Sequence, residues 1–131
     1  MSVLSDFLDD ARAEIDRVTP AQADELRREG GLIVDIRPHH NRLAEGEIEG
    51  SVIVERIVLE WRLDPDGEWR LPGFTADTPV VVVCNEGYSS SLAARDLKRI
   101  GLKNASDLIG GFRAWRAAGL PIREGGSQAV T

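Results

Sequence analysis

Short apolar runs alternate along the chain with stretches whose hydrophobic residues recur every three or four positions. That alternation predicts strands separated by helices. Leu4, Phe7, Leu8, Ala11, Ile15 and Val18 fall at helical spacing, so residues 1–18 read as an amphipathic helix packed on the rest of the domain. Thr19-Pro20 supplies an N-cap and a proline at the first helical position. The second helix should run to about Glu29 and stop at Gly30-Gly31. Leu32 to Ile36 is a short β-branched run and predicts a buried strand; Ser51 to Val54 predicts another, with a polar connection between them. Residues 63–79 hold most of the turn formers, including Asp64-Pro65-Asp66-Gly67 and Pro72-Gly73, and should be largely loop. Val80-Val81-Val82-Val83 is apolar on both faces and should lie centrally in a sheet covered on both sides. A helix from about Ser90 to Gly101, a strand from Ala105 to Leu108 and a helix from Phe112 to Ala118 complete the pattern. The sum is an α/β domain with a mainly parallel sheet, trailed by a flexible tail over 125–131.

Composition narrows the function classes. A chain of 131 residues fits one compact domain. A net charge of −6 argues against nucleic acid or an anionic membrane as partner, because phosphate binding draws on clustered Lys and Arg. The apolar run Val80 to Cys84 is too short to span a bilayer, and the first ten residues carry acids where a signal peptide wants bases. The expected location is the cytoplasm. One cysteine leaves no internal disulfide and no cysteine-based zinc site; the adjacent His39-His40 reads as solvated loop, so no metal is expected.

The single thiol is therefore either an inert space-filler or a chemical tool. Cys84 ends the central strand and opens the loop Asn85-Glu86-Gly87-Tyr88-Ser89-Ser90, with a helix directly behind. In parallel α/β sheets the ligand site lies beyond the carboxyl ends of the strands. Gly87 lets the loop curl, so that successive N–H groups can point inward as an anion nest, and the helix adds the positive end of its dipole. Both favour a thiolate, and a terminal persulfide anion still more. Trp61 and Trp69 read as loop anchors, and Arg95, Lys98 and Arg99 as the wet face of the helix.

Four motifs, in order, resemble the rhodanese family. Val-Val-Val-Cys84-Asn-Glu-Gly87-Tyr-Ser-Ser90 with Ala93-Ala94 and Leu97 is similar to its active-site loop and helix. Leu32-Ile-Val-Asp35-Ile-Arg37 resembles the family's Asp-Val-Arg strand end, and Gly46-Glu-Ile-Glu-Gly50-Ser its Gly-His-Ile-Pro-Gly-Ala. Leu108-Ile-Gly110-Gly111-Phe-Arg-Ala-Trp115 with Gly119-Leu-Pro121 is similar to its usual ending. The resemblance implies a rhodanese-like domain over 19–124, with a five-stranded sheet flanked by helices on both faces. It implies a sulfurtransferase without cofactor: Cys84 takes a sulfane sulfur from thiosulfate or a persulfide, then passes it to a thiol, cyanide or a protein acceptor. Amides of residues 85–90 would hold the sulfur, Asp35 and Arg37 would organise the loop, and Arg56 is a candidate for the rim.

The departures bear on the donor. Ser89 stands where many members carry Arg, and Glu86 adds a negative charge to the loop; together they predict weak thiosulfate binding and better use of a less charged donor such as a low-molecular-weight persulfide. Pro38 to Arg42 lack the family's usual acid, so Arg37 should pair with Glu45 or Glu47, or stay free for substrate. Two other readings stand beside the enzyme. One is a rhodanese-like carrier, sensor or partner-binding module without turnover. The other is a phosphatase or arsenate reductase, which needs an Arg where this chain has Ser90.

Overall fold

The computed structural model describes residues 2–131. Four strands form a fully parallel sheet in the order β3-β1-β4-β5: β1 (Leu32–Asp35), β3 (Val52–Ile53), β4 (Val80–Val83) and β5 (Ala105–Asp107). The expected fifth strand is a single bridge, Val18 beside Leu108. It cannot lengthen, because Thr19 and Pro20 begin α2 (Pro20–Arg28) at once, with a capping box between Thr19 and Gln22. Val18 thus belongs to the sheet edge and not to the first helix; α1 is Val3–Ala13.

Side-chain alternation along β4 divides the core in two. Val80, Val82 and Cys84 face Ala93, Ala94 and Leu97 of α5 (Ser89–Arg99), together with Leu59 and Leu63 around α4 (Leu59–Arg62). Val81 and Val83 face Ala23 of α2 and the fully buried Phe112 and Trp115 of α6 (Gly111–Ala117). Trp61 and Trp69, expected as anchors, are instead 61% and 62% exposed. Arg95 is not on a wet face either: α1 covers it, with its guanidinium 5.0 Å from the Phe7 ring centroid.

The polar connection after β1 is ordered. It holds α3 (His39–Glu45), opened by the two exposed histidines, and β2 (Glu47–Ile48), which pairs antiparallel with β6 (Ile122–Arg123). Its inward residues Arg42 and Glu47 are charged, which is why no apolar period marks it; they meet at 2.7 Å with both side chains buried.

Residues 125–131, expected to fray, return to the body of the fold. Gly126 and Ser127 donate N–H groups to Glu47, Ser127 also donates its hydroxyl at 2.6 Å, and Val130 bridges Val54. Buried acceptors demand partners, and Glu47 finds three in this segment. Among the described residues no helix is long and apolar enough to cross a membrane.

Candidate active site

Strand register sets the site. Asp35 lies beside Val83 and Asp107 beside Val82, so Asp35, Cys84 and Asp107 crown three adjacent parallel strands at their carboxyl ends. The loop from Cys84 is then fixed from both sides. Phe112 and Arg113, at the start of α6, donate their N–H groups to the carbonyls of Cys84 and Asn85 at 2.9 and 3.2 Å. The approach requires glycine: a Cβ on Gly111 (φ +65°) would stand 2.6 Å from Cys84 O, Asn85 C and Glu86 N, and one on Gly87 would stand 2.7 Å from Gly110 N.

Cys84 is buried, 7% exposed, and its sulfur sits within the loop. It accepts N–H groups from Gly87 at 3.2 Å and Ser90 at 3.4 Å. Its thiol reaches the Ser90 hydroxyl at 3.1 Å, and that hydroxyl donates to Asp107 Oδ2 at 2.7 Å. Asp107, fully buried, also accepts the Ser91 hydroxyl at 2.8 Å and a two-point contact from Arg17, at 2.9 and 3.2 Å. Converging N–H donors and the first turn of α5 favour negative charge at this sulfur.

The remaining expected residues divide by distance from the sulfur. Arg37 is buried and fully committed: it grips Asp35 at both oxygens, donates to Gly46 O at 2.7 Å and Asn85 Oδ1 at 3.3 Å, and lies 4.0 Å from the Phe112 ring centroid. It pairs with neither Glu45 nor Glu47, because Asp35 two residues away fills the role of the absent acid. Asn85 is braced on its other side by Glu45, at 3.1 Å. Glu86 is exposed, and Arg113 meets it at 3.1 Å while also holding Glu45 at 3.1 Å. The Arg113 hydrogen bond, opposed by burial and helped by Asn85, holds Glu45 below the usual carboxylate range. Tyr88 and Ser89 are exposed and border a largely apolar cleft with Leu4, Leu8 and Leu92. Arg56 makes no hydrogen bond to the loop; it is engaged by Glu60 at 2.8 Å and Asp96 at 3.6 Å.

Sequence reasoning missed Arg12, Arg17, Ser91 and Asp107. Arg12 and Arg17 both donate to the Gly87 carbonyl, at 2.7 and 2.9 Å, and Arg12 also bonds the Ser91 hydroxyl at 3.0 Å. Asp107 carried a readable signal, an acid at the end of a predicted strand beside the Cys84 strand. The arginines carried none, since they precede the motifs.

The lone cysteine thus directly follows the central parallel strand, with two loop amides on its sulfur. The Rhodanese-like domain profile matches residues 19–118, and the chain belongs to that family. Among curated proteins it is similar to the thiosulfate sulfurtransferase GlpE of Stutzerimonas stutzeri, 36% identical over 104 residues (76% of this chain, 84% of that one). It is similar also to the GlpE of Haemophilus influenzae, 35% identical over 106 residues, 80% of this chain and 91% of the relative. Sulfur transfer is thus the activity named for the family at this distance. Among solved structures, a Rhodopseudomonas palustris protein of unknown function, described as a possible tyrosine phosphatase, aligns with TM-score 0.82 and 36% identity, covering 94% of this chain and 96% of that one. The polysulfide-sulfur transferase homodimer of Wolinella succinogenes aligns with TM-score 0.72 and 26% identity, covering 88% of this chain and 83% of the other.

Proposed function

We propose that the protein is a rhodanese-type sulfurtransferase working through a Cys84 persulfide. The observation that carries this reading is the convergence of the Gly87 and Ser90 N–H groups on the Cys84 sulfur. In the first half-reaction the Cys84 thiolate attacks the outer sulfur of thiosulfate or of a persulfide. The donor's S–S bond breaks, its electron pair leaves with sulfite or a thiolate, and Cys84 carries one extra sulfur as an anion. In the second, cyanide or an acceptor thiolate attacks that terminal sulfur, and the Cys84 thiolate leaves with the pair. No net oxidation occurs and no cofactor is required. The loop amides hold the negative charge on the terminal sulfur, as an oxyanion hole holds an alkoxide. Asp35, Arg37 and Asn85 keep the loop's first half in place from below. The Glu86 charge, expected to repel a dianionic donor, is exposed and partly offset by Arg113, which it shares with Glu45, so both thiosulfate and persulfides are donors in this reading.

The description of the Rhodopseudomonas palustris relative raises phosphate-ester hydrolysis as a second reading. It lacks its main electrophile here, because residues 85–90 contain no Arg to clamp a phosphoryl group. Steady-state thiocyanate formation from thiosulfate and cyanide tests the proposal. Multiple turnovers that vanish in Cys84→Ser support an enzyme. A single stoichiometric loading without turnover supports the carrier instead, and neither loading nor turnover overturns both.

A further inference from the structure

Two arginines from the segment ahead of the family domain converge on one atom of the sulfur loop, the carbonyl oxygen of Gly87. Arg12, from α1, and Arg17, five residues on, both direct a guanidinium Nη2 at that oxygen, at 2.7 and 2.9 Å. A backbone carbonyl seldom meets two cations, and these come from outside residues 19–118. The described chain has no cis peptide bonds, and in a trans peptide the C=O and the following N–H point in opposite directions. With Gly87 O held by the two arginines, the Tyr88 N–H points away from them, from a peptide that lies between the Gly87 and Ser90 amides that meet the Cys84 sulfur. It meets no hydrogen-bond acceptor among the described residues, which leaves it free for a transferred sulfur. Two cations on the oxygen also polarise that peptide and strengthen its N–H as a donor.

Arg17 acts a second time. Asp107 is a fully buried carboxylate one hydroxyl away from the Cys84 sulfur, through Ser90. Unneutralised, it would repel a thiolate or a persulfide anion; the two-point contact with Arg17 cancels that charge. Arg12 binds the loop without an ion pair of its own: its guanidinium touches the Gly87 carbonyl and Ser91 hydroxyl and lies 5.8 Å from the Tyr88 ring centroid.

We propose that Arg12 and Arg17 are positioning residues for sulfur transfer, fixing the Gly87–Tyr88 peptide so that its N–H completes the cradle, with Arg17 offsetting Asp107 and Arg12 supplying from behind the positive charge that Ser89 does not. The inference rests on the sulfur-transfer reading above. Its donor is an anionic sulfane-sulfur compound, with thiosulfate as the probe.

The test uses the full chain and two readouts: the rate of sulfur loading from thiosulfate, followed by intact mass after rapid quench, and the rate of iodoacetamide alkylation against pH. Arg12→Gln removes the charge without stranding a carboxylate. Loading should slow roughly three- to tenfold, with the alkylation profile displaced to higher pH. Arg12→Lys should recover most of both, and Arg17→Lys should show a milder form of the same defect. Arg99→Gln is the control, because Arg99 ties α1 to α5 through Glu14 at 2.6 Å without touching the loop. It should match wild type in both readouts. Equal loss in Arg99→Gln would overturn the proposal, since helix docking alone would then explain the effect. So would wild-type loading and alkylation in both Arg12→Gln and Arg17→Lys. Should Arg12→Gln fail to fold, Arg12→Lys and Arg17→Lys carry the test. A wild type that takes up no sulfur refutes the sulfur-transfer reading, and the alkylation profiles alone then decide the arginines.

Discussion

Replacing Glu47 with Gln should cost the protein stability at neutral pH and flatten its response to acid. Glu47 is fully buried and accepts five hydrogen bonds: from Arg42 at 2.7 Å, Arg123 at 3.0 Å, the Ser127 hydroxyl at 2.6 Å, and the N–H groups of Gly126 and Ser127 at 3.2 and 3.1 Å. Burial alone would push its carboxyl up, but the bonds from Ser127, Arg42 and Arg123 outweigh it and bring the value from 4.5 down to about 2. A depressed folded value means stability present above about 4.5 and lost as pH falls toward 2. The full linkage is about 3 kcal/mol, of which about 2 kcal/mol should be gone by pH 3. Urea unfolding of wild type and Glu47→Gln at several pH values from 7 to 3 measures it. The variant should be less stable at pH 7 by on the order of 3 kcal/mol, and the gap should narrow as the medium acidifies. Limited proteolysis should cut the variant first near Ser127, whose bonds to Glu47 are weakened. Parallel stability curves from pH 7 to 3 would refute the reasoning, since the charge of Glu47 would then contribute nothing.

Gly111→Ala should lower sulfur transfer more than tenfold while costing only a few kcal/mol of stability, because its Cβ collides with three backbone atoms of the sulfur loop; kcat/KM and thermal melts check the two together. Glu86→Gln should change thiosulfate kcat/KM by less than about threefold even at low salt, since its exposed carboxylate is paired with Arg113. A large gain would restore the view that Glu86 repels the donor. Aryl phosphate hydrolysis should be negligible beside sulfur transfer, and steady turnover that disappears in Cys84→Ser would reverse that ranking.

Much of this site was legible in the sequence. Strand and helix periods marked β1, β4, α2, α5 and α6, and the valine run ending at Cys84 placed the thiol where a parallel sheet puts its chemistry. The parts that were not legible share one physical cause, the use of charge where a pattern reader looks for apolar side chains. Arg42 and Glu47 fill inward positions of α3 and β2, so that segment reads as polar loop although both side chains are buried. The last residues look like a polar tail, yet the same glutamate collects their N–H groups. Arg12 and Arg17 look like ordinary surface charges of an amphipathic segment, and only the folded chain brings them to Gly87. The first helix packs on α5 through few apolar side chains: Leu4 and Phe7 remain 67% and 46% exposed, while Ala11, and Ile15 just past its end, are buried.

The central claim is that Cys84, and no other group, accepts the sulfur. Intact mass of the protein after incubation with thiosulfate or a small persulfide, before and after cyanide, tests it most directly. The account predicts that wild type gains one sulfur, that cyanide removes it as thiocyanate, and that folded Cys84→Ser gains none. A wild type that stays unmodified with every donor, or a Cys84→Ser variant that still acquires and transfers sulfur, would contradict it.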